Sequence, residues 1–269
     1  VDPIIAVKAA THNAARYYQL NNRGAISPGY LADFAIIDDF DHFNVQMVFK
    51  KGKLWYDGQV KPFSAPPIEE TLVNRARDTF HLPRLKLEDF RDPRPRAVIG
   101  LVDGEIVTTD NGYATQVDLE KDILKIAVVE RHKSTGHMGV GYIQGYGLKR
   151  GAVATSISHD SHNIIVVGTN SRDMAFAANR VVDNHGGIVV AENETVTAEL
   201  PLEIAGIMTD QPLEQVNEVL EQAKAAAFAL GASSGIDPFM TLSFMALPVI
   251  PTLRLTTRGV IDVVSQRYV

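Results

Sequence analysis

The stretch SISHDSHNIIVVGTNSRDM, residues 156–174, sets His159, Asp160 and His162 directly before the apolar run Ile164 to Val167. Imidazole and carboxylate groups move protons or bind metal ions near neutral pH. Two histidines three residues apart would present two nitrogens to a metal from one helical turn. The flanks argue for something else: GAVATSIS before the turn alternates as a strand, and NIIVV after it reads as another. Residues 159–163 are then a tight connection whose side chains diverge, with no third ligand near in sequence. A Ser-His-Asp triad takes its groups from separate elements, and neighbours along one turn rarely reach that geometry. A plain polar turn accounts for Asp160 and Asn163, which bond to their own backbone, but gains nothing from imidazole. His159 and Asp160 are therefore candidate catalytic residues, lining a pocket or transferring a proton, and His162 and Asn163 are candidate substrate contacts. A second cluster, ERHKSTGHMGVGYIQGYG, ends the apolar strand 123–129 with Glu130, Arg131 and His132 and continues as a glycine-rich loop. Glu130 and His132 join the candidate substrate contacts, although charged groups at a strand exit can equally be solvated. These glycines do not fit G-x-G-x-x-G before a helix, so a nucleotide-phosphate loop is a weak reading. Asn170, after Gly168-Thr169, either caps the next helix or helps its N-terminus receive an anion.

Composition narrows the chemistry. The chain of 269 residues has no cysteine, so disulfides, thiolate zinc sites and cysteine nucleophiles are excluded, and a metal here would need His, Asp or Glu. A net charge of -6 without clustered Lys and Arg argues against a nucleic-acid partner. No run approaches about 18 uninterrupted apolar residues and no basic region precedes an apolar segment at the N-terminus. The expectation is a cytoplasmic protein with no membrane span, and its length favours two domains.

The elements that must position these residues follow from periodicity and caps. VDPIIAVKAATHNAARYYQL reads as a helix, with Asp2 as N-cap and Pro3 at its first position. A strand over 32–37 and a hairpin around Lys51-Gly52 form a small sheet. Residues 61–96 are rich in proline and charge, with a short helix near 69–79, and mark a domain boundary. Strands are expected at 97–102, 104–109, 123–129 and 151–157. Ile164 to Val167, a helix from Ser171 to about Asn184 that ends at Gly186, and a strand over 187–191 make a β-α-β unit. A further helix over about 211–230 is expected to be capped by Asp210. The segment LSFMALPVIP reads as core with proline-set turns and receives no chemistry.

Several segments coincide with one family. AATHNAARYYQL, GAISPGYLADFAIIDD and VFKKGKLWYDG are common to many amidohydrolases. VVERH, GYGLKRGAVATSISHDSHNIIVVGTNSRDM, GGIVVAENETVTAELPLEIAGIMTD and PFMTLSFMALPVIPTLRLTTRGVIDV are more specific. In these the chain resembles the C-terminal portion of bacterial adenine deaminases, within the amidohydrolase superfamily. The resemblance implies an α+β chain of four parts: the last helix of a (β/α)8 barrel at 1–22, a β-sandwich segment at 23–62, a linker at 63–96 and an α+β C-terminal domain at 97–269. It implies hydrolysis of adenine to hypoxanthine and ammonia by a metal-bound hydroxide, with a divalent metal such as manganese or iron. The usual His-x-His barrel ligands are missing from this sequence, which begins at what looks like the last barrel helix. The barrel core and metal centre are then expected in a missing N-terminal segment, and this chain alone to bind no metal and to be inactive. The turn at 159–163, with Glu130 and His132, would close over the barrel mouth. Homo-oligomerisation is also implied. The alternative is a non-catalytic lid or assembly module.

Overall fold

The computed structural model describes residues 1–64 and 66–269. They form two compact units, Val1–Pro67 and Ile68–Val269, and the fold is mixed α+β. In the first unit, α1 (Pro3–Lys8) runs through a π-helical turn (Ala9–Asn13) into α2 (Ala14–Tyr17). Asp2 caps α1 as expected, accepting from the Ile4 amide at 2.8 Å, and Pro3 fills the first position, where no N–H is needed. Strands β1 (Phe34–Ile37), β2 (Val45–Lys50) and β3 (Lys53–Tyr56) form an antiparallel meander. Lys51, with φ of 50°, and Gly52 make its hairpin turn. Phe34 stacks on Phe49 at 4.8 Å, yet Ala15 is the one buried apolar side chain among the described residues of this unit.

The second unit begins with α3 (Glu70–Arg77) and a 3-10 turn (Leu87–Phe90). It continues through β4 (Arg96–Leu101), β5 (Thr108–Ala114), β6 (Ile123–Val129), β7 (Met138–Gln144), β8 (Ala152–Thr155) and β9 (Ile164–Gly168). Then follow α4 (Ser171–Asp183), β10 (Gly187–Glu192), β11 (Thr195–Pro201), α5 (Leu213–Ala229), α6 (Pro238–Met245), β12 (Leu253–Thr256), β13 (Gly259–Asp262) and β14 (Arg267–Tyr268). An eight-stranded sheet in the order β11-β10-β8-β9-β6-β7-β4-β5 is the centre of the unit. Both of its faces are covered, which is why its middle strands are apolar runs rather than alternations. Ile126, Val128, Ile165, Val167, Ile188 and Val190 point to the side of α5, α6 and the β12–β13 hairpin. Their neighbours Ala127, Val129, Ile164, Val166, Val189 and Ala191 point to α4 and the segment before β4.

Helix α4 forms as expected: the Asn170 carboxamide accepts from the Asp173 amide at 2.8 Å, and Met174, Ala177, Ala178 and Val181 bury one face. Its flanking strands β9 and β10 are parallel but not adjacent, because β8 inserts between them.

Four expectations are corrected. The glycine-rich stretch after His137 is strand β7, not a loop. Its glycines allow the β12–β13 hairpin to lie against it: a Cβ at Gly139 would stand 1.9 Å from the Thr256 carbonyl oxygen, and one at Gly141 2.7 Å from Val260. The strand expected at 104–109 lies at Thr108–Ala114 instead, an exposed polar edge strand with little hydrophobic signal. Asp210 does not cap α5, whose N-cap position is Pro212. Residues 68–96, within the expected linker, belong to the second unit and bury Leu85 and Phe90 in its core.

That last segment hangs on one side chain. Buried Asn179 of α4 accepts from the Leu85 amide at 2.9 Å and donates to the Leu85 carbonyl at 2.8 Å. Asn179→Ala would leave both backbone groups unpaired in the core, a loss of about 2–3 kcal/mol. Thermal unfolding should show a Tm lower by roughly 5–10 °C. A Tm within about a degree of the parent would show that Leu85 finds other partners.

Candidate functional site

The turn between β8 and β9 is fixed from below by Arg131. This residue lies two positions beyond the end of β6, is 1% exposed, and forms no ion pair with a carboxylate among the described residues. Its guanidinium donates instead to the carbonyls of His162, Thr79 (2.7 Å) and Ala205 (2.9 Å) and to the Thr79 hydroxyl (3.0 Å), and lies 4.2 Å over the Phe80 ring. Burial lowers its pKa to about 10, which leaves it charged at neutral pH. A charge without a counter-ion persists in a core only when oriented dipoles replace its hydration. Here three carbonyls do so, and one of them belongs to the turn.

On the turn, the His159 ring stacks on Phe244 of α6, with centroids 5.6 Å apart, and its amide donates to the Ser243 carbonyl at 3.0 Å. Asp160 reaches back to His159 Nδ1 and keeps most of its carboxylate exposed. His162, with φ of 48°, turns inward, and its Nδ1 is buried without a partner, as is the nearby Ser158 hydroxyl. Burial, then Arg131 and His159, push the His162 pKa below its ordinary value of 6.5. Asn163 is buried and its side-chain oxygen accepts from the Arg131 amide at 3.4 Å.

Asp160, Ser161 and Asn163 line one side of a cleft of about 390 Å³, and Leu247, Pro248 and Thr256 line the other. Its mostly apolar walls with a few polar groups suit a small planar ligand. The structure thus brings Asp160 and Asn163 to one cleft, with His159 held beside Asp160. It does not bring Glu130 or His132 to that cleft. The Glu130 carboxylate accepts from the amides of His132 (2.6 Å), Lys133 (3.0 Å) and Thr135 (3.2 Å) and from the Thr135 hydroxyl (2.9 Å). Burial alone would raise its pKa, but these donors outweigh it and the net shift is downward. His132 Nε2 bonds the Ser161 carbonyl at 2.8 Å. Both residues brace loops, a role the short spacing to Lys133 and Thr135 makes local. Sequence reasoning missed the far wall: LSFMALPVIP reads as core, and nothing in it signals that 247–249 would face the turn. It named Arg131 at the strand exit but gave it no role, its one signal being a basic residue just beyond an apolar strand.

The divalent metal that the resemblance implies finds no ligand set at this turn. Among the described residues, Asp38, Asp39 and His42 are the one group of three His, Asp or Glu side chains with ligand atoms within 4.8 Å of one another. They do not fit a catalytic centre. They sit exposed on a turn before β2, and Asp38 and Asp39 already accept from backbone amides of Asp39, Asn44, Asp41 and His42.

The low His162 pKa has a stability consequence with a definite sign. The unfolded chain takes up the proton first as pH falls below 6.5, so the fold loses stability below that value until the folded imidazole also protonates. Replacing His162→Gln removes this loss. Urea midpoints measured between pH 8 and pH 5 should fall more steeply for the parent than for the variant, by at most about 1.4 kcal/mol per pH unit. Parallel pH profiles would show that the imidazole is as well solvated in the fold as outside it.

Comparison with known proteins agrees with this division of the chain. The adenine deaminase C-terminal domain family matches residues 102–267, and the amidohydrolase family matches residues 1–55. An adenine deaminase of Dehalococcoides mccartyi is 42% identical over 274 residues, covering 98% of this chain and 47% of the relative. Adenine deaminases of Kosmotoga olearia and Geobacillus kaustophilus are 42% and 40% identical, each covering all of this chain and 48% of the relative. The chain spans about half the length of the curated relatives it matches. On these matches it belongs to the adenine deaminase C-terminal domain family, joined at its N-terminal end to a segment of the amidohydrolase family.

Proposed function

We propose that this chain works as the C-terminal portion of an adenine deaminase, which converts adenine and water to hypoxanthine and ammonia. The observation that carries the reading is the family match together with a cleft whose polar wall, Asp160, Ser161 and Asn163, comes from the very turn that sequence chemistry singled out, with His159 beside it. In this reading Asp160 holds the His159 imidazole at Nδ1, and Phe244 fixes the ring plane. Nε2 is then the atom that gives or takes a proton as ammonia departs. Asn163 orients the turn and offers its amide to the ligand. The apolar far wall excludes water from one face of the base.

The metal, manganese or iron, supplies hydroxide at neutral pH in such enzymes. We assign it to residues outside this sequence, since the one cluster of donors among the described residues, Asp38, Asp39 and His42, is exposed and already filled by backbone amides. The first unit supports the same assignment. Its helical segment and three-stranded meander leave Ile36, Met47 and Val60 exposed and enclose almost no core. It is read as the last barrel helix and part of a β-sandwich, each awaiting its complement. A cytoplasmic, homo-oligomeric enzyme fits this reading. Among the described residues no helix is long and apolar enough to cross a membrane.

Two measurements test the proposal. The 269-residue chain should release no ammonia from adenine at an enzymatic rate and should hold divalent metal no more tightly than about micromolar. In a full-length enzyme containing this sequence, His159→Ala or Asp160→Ala should lower kcat/KM by about a hundredfold with metal content and Tm nearly unchanged. Turnover by the chain alone would overturn the metal assignment. Parental kinetics in both variants would leave the turn as a lid or assembly surface.

A further inference from the structure

The sequence segment Phe90 to Arg96, FRDPRPR, has no part in the cleft described above. It folds over one corner of the second unit and closes, with Arg258 from the turn between β12 and β13, a pocket of about 280 Å³. Its lining includes four guanidiniums, Arg91, Arg94, Arg96 and Arg258, against two carboxylates, Asp89 and Asp92. One carboxylate serves two of the arginines. Asp92 accepts from Arg94 Nε and Nη2 at 3.0 Å each and from Arg96 Nε at 2.8 Å, and it is also bonded by Arg96 Nη2. Its pKa is held far below the carboxylate range, first by the Arg94 bonds, so it stays charged. Asp89 is occupied by the backbone, accepting from the Lys86 amide at 2.7 Å. Arg91 and Arg258 form no ion pair among the described residues, although Arg258 is steadied by Tyr268, 5.1 Å from its ring centroid.

The pocket therefore carries an excess of positive charge that no other carboxylate in its lining neutralises. Behind the lining, near Asp92, is a further buried donor. Val140 lines the pocket, and Tyr142, two residues along β7, shares that face of the sheet. Tyr142 is 1% exposed, its hydroxyl has no hydrogen-bond partner, and its acidity is shifted by burial and then by Asp92, which places the two within electrostatic reach. Lys125, its cross-strand neighbour, lies under the same segment and donates to the Phe90 carbonyl at 2.9 Å. Forked guanidiniums gathered in a concave site, beside a buried hydroxyl without an acceptor, match a compact oxyanion with several acceptor oxygens. We propose that this pocket is an anion site for a phosphate group, supplied as inorganic phosphate or as a phosphate monoester. It is separate from the adenine cleft and does not rest on the function proposed above.

Titration calorimetry on the purified 269-residue chain at constant ionic strength tests it. Inorganic phosphate should bind with a Kd of about 1 mM or tighter. Arg91→Ala/Arg258→Ala, which removes the two arginines without ion-pair partners, should weaken binding at least ~10-fold at unchanged Tm. Adenosine 5′-monophosphate, with adenosine as its control, separates the sources. Tighter binding than inorganic phosphate, absent with adenosine, assigns the site to a monoester, whereas binding no tighter than phosphate assigns it to the free ion. No phosphate binding, the same heat with chloride, or undiminished binding by the double variant overturns the proposal; the first is expected if the arginines meet only acidic side chains of a protein partner.

Discussion

The buried guanidinium of Arg131 is the constraint on which the candidate site depends. Burying a charge costs several kcal/mol, and here no carboxylate pairs with it directly, Glu130 acting only at a distance. Carbonyls from three other segments do, at Thr79, His162 and Ala205, so the segments are fixed relative to one another by the need to solvate one cation. Removing the side chain would leave three oriented carbonyls facing an apolar cavity. The same device appears at the other end of the sheet, where fully buried Arg254 donates to the Thr108 hydroxyl and to the carbonyls of Ile106 and Leu253. Each arginine joins polar loops to a sheet whose own faces offer only apolar contacts. Loops near the cleft thereby gain a rigidity that hydrophobic packing alone would not give them.

The sheet itself is positioned by close backbone approach as much as by side-chain volume. Gly139 and Gly141 remove the atoms that would hold the β12–β13 hairpin away from β7. With the hairpin seated, Leu255 and Thr256 reach the cleft and form the wall opposite Asp160. A larger residue at Gly139 would push Thr256 outward and open the cleft, so the glycines of β7 act on the site without touching a ligand.

How much of this was legible in the sequence follows from how local each signal is. Helix α4 was readable because its cap, its buried stripe and its stop all lie within seventeen residues. Strands β6 and β9 were readable as uninterrupted apolar runs. Strand β7 was not, because glycine is a poor strand residue by propensity and its reason for being there is a hairpin more than a hundred residues later. Strand β5 was displaced because an exposed edge carries no hydrophobic alternation. At the site, His159, Asp160, His162 and Asn163 stood out by chemical type, which a sequence displays directly. Whether a polar group faces a cleft or serves its own loop is set by three-dimensional neighbours. Glu130 shows the limit: beside a glycine-rich stretch it looks like a ligand contact, and in the fold its carboxylate is filled by four donors within five residues.

The two histidines of the turn have been given opposite surroundings by this arrangement. His159 is half-exposed, paired with Asp160 and stacked on Phe244. His162 is turned inward beside Arg131, where a second positive charge is penalised. The division accounts for two imidazoles in a segment too short for a metal site: one stacks beside Asp160 at the edge of the cleft, while the other is turned inward at the residue whose carbonyl accepts from the Arg131 guanidinium. In the proposed reaction the first is the group beside the cleft, whereas the second serves the turn itself, through the carbonyl that binds the buried guanidinium.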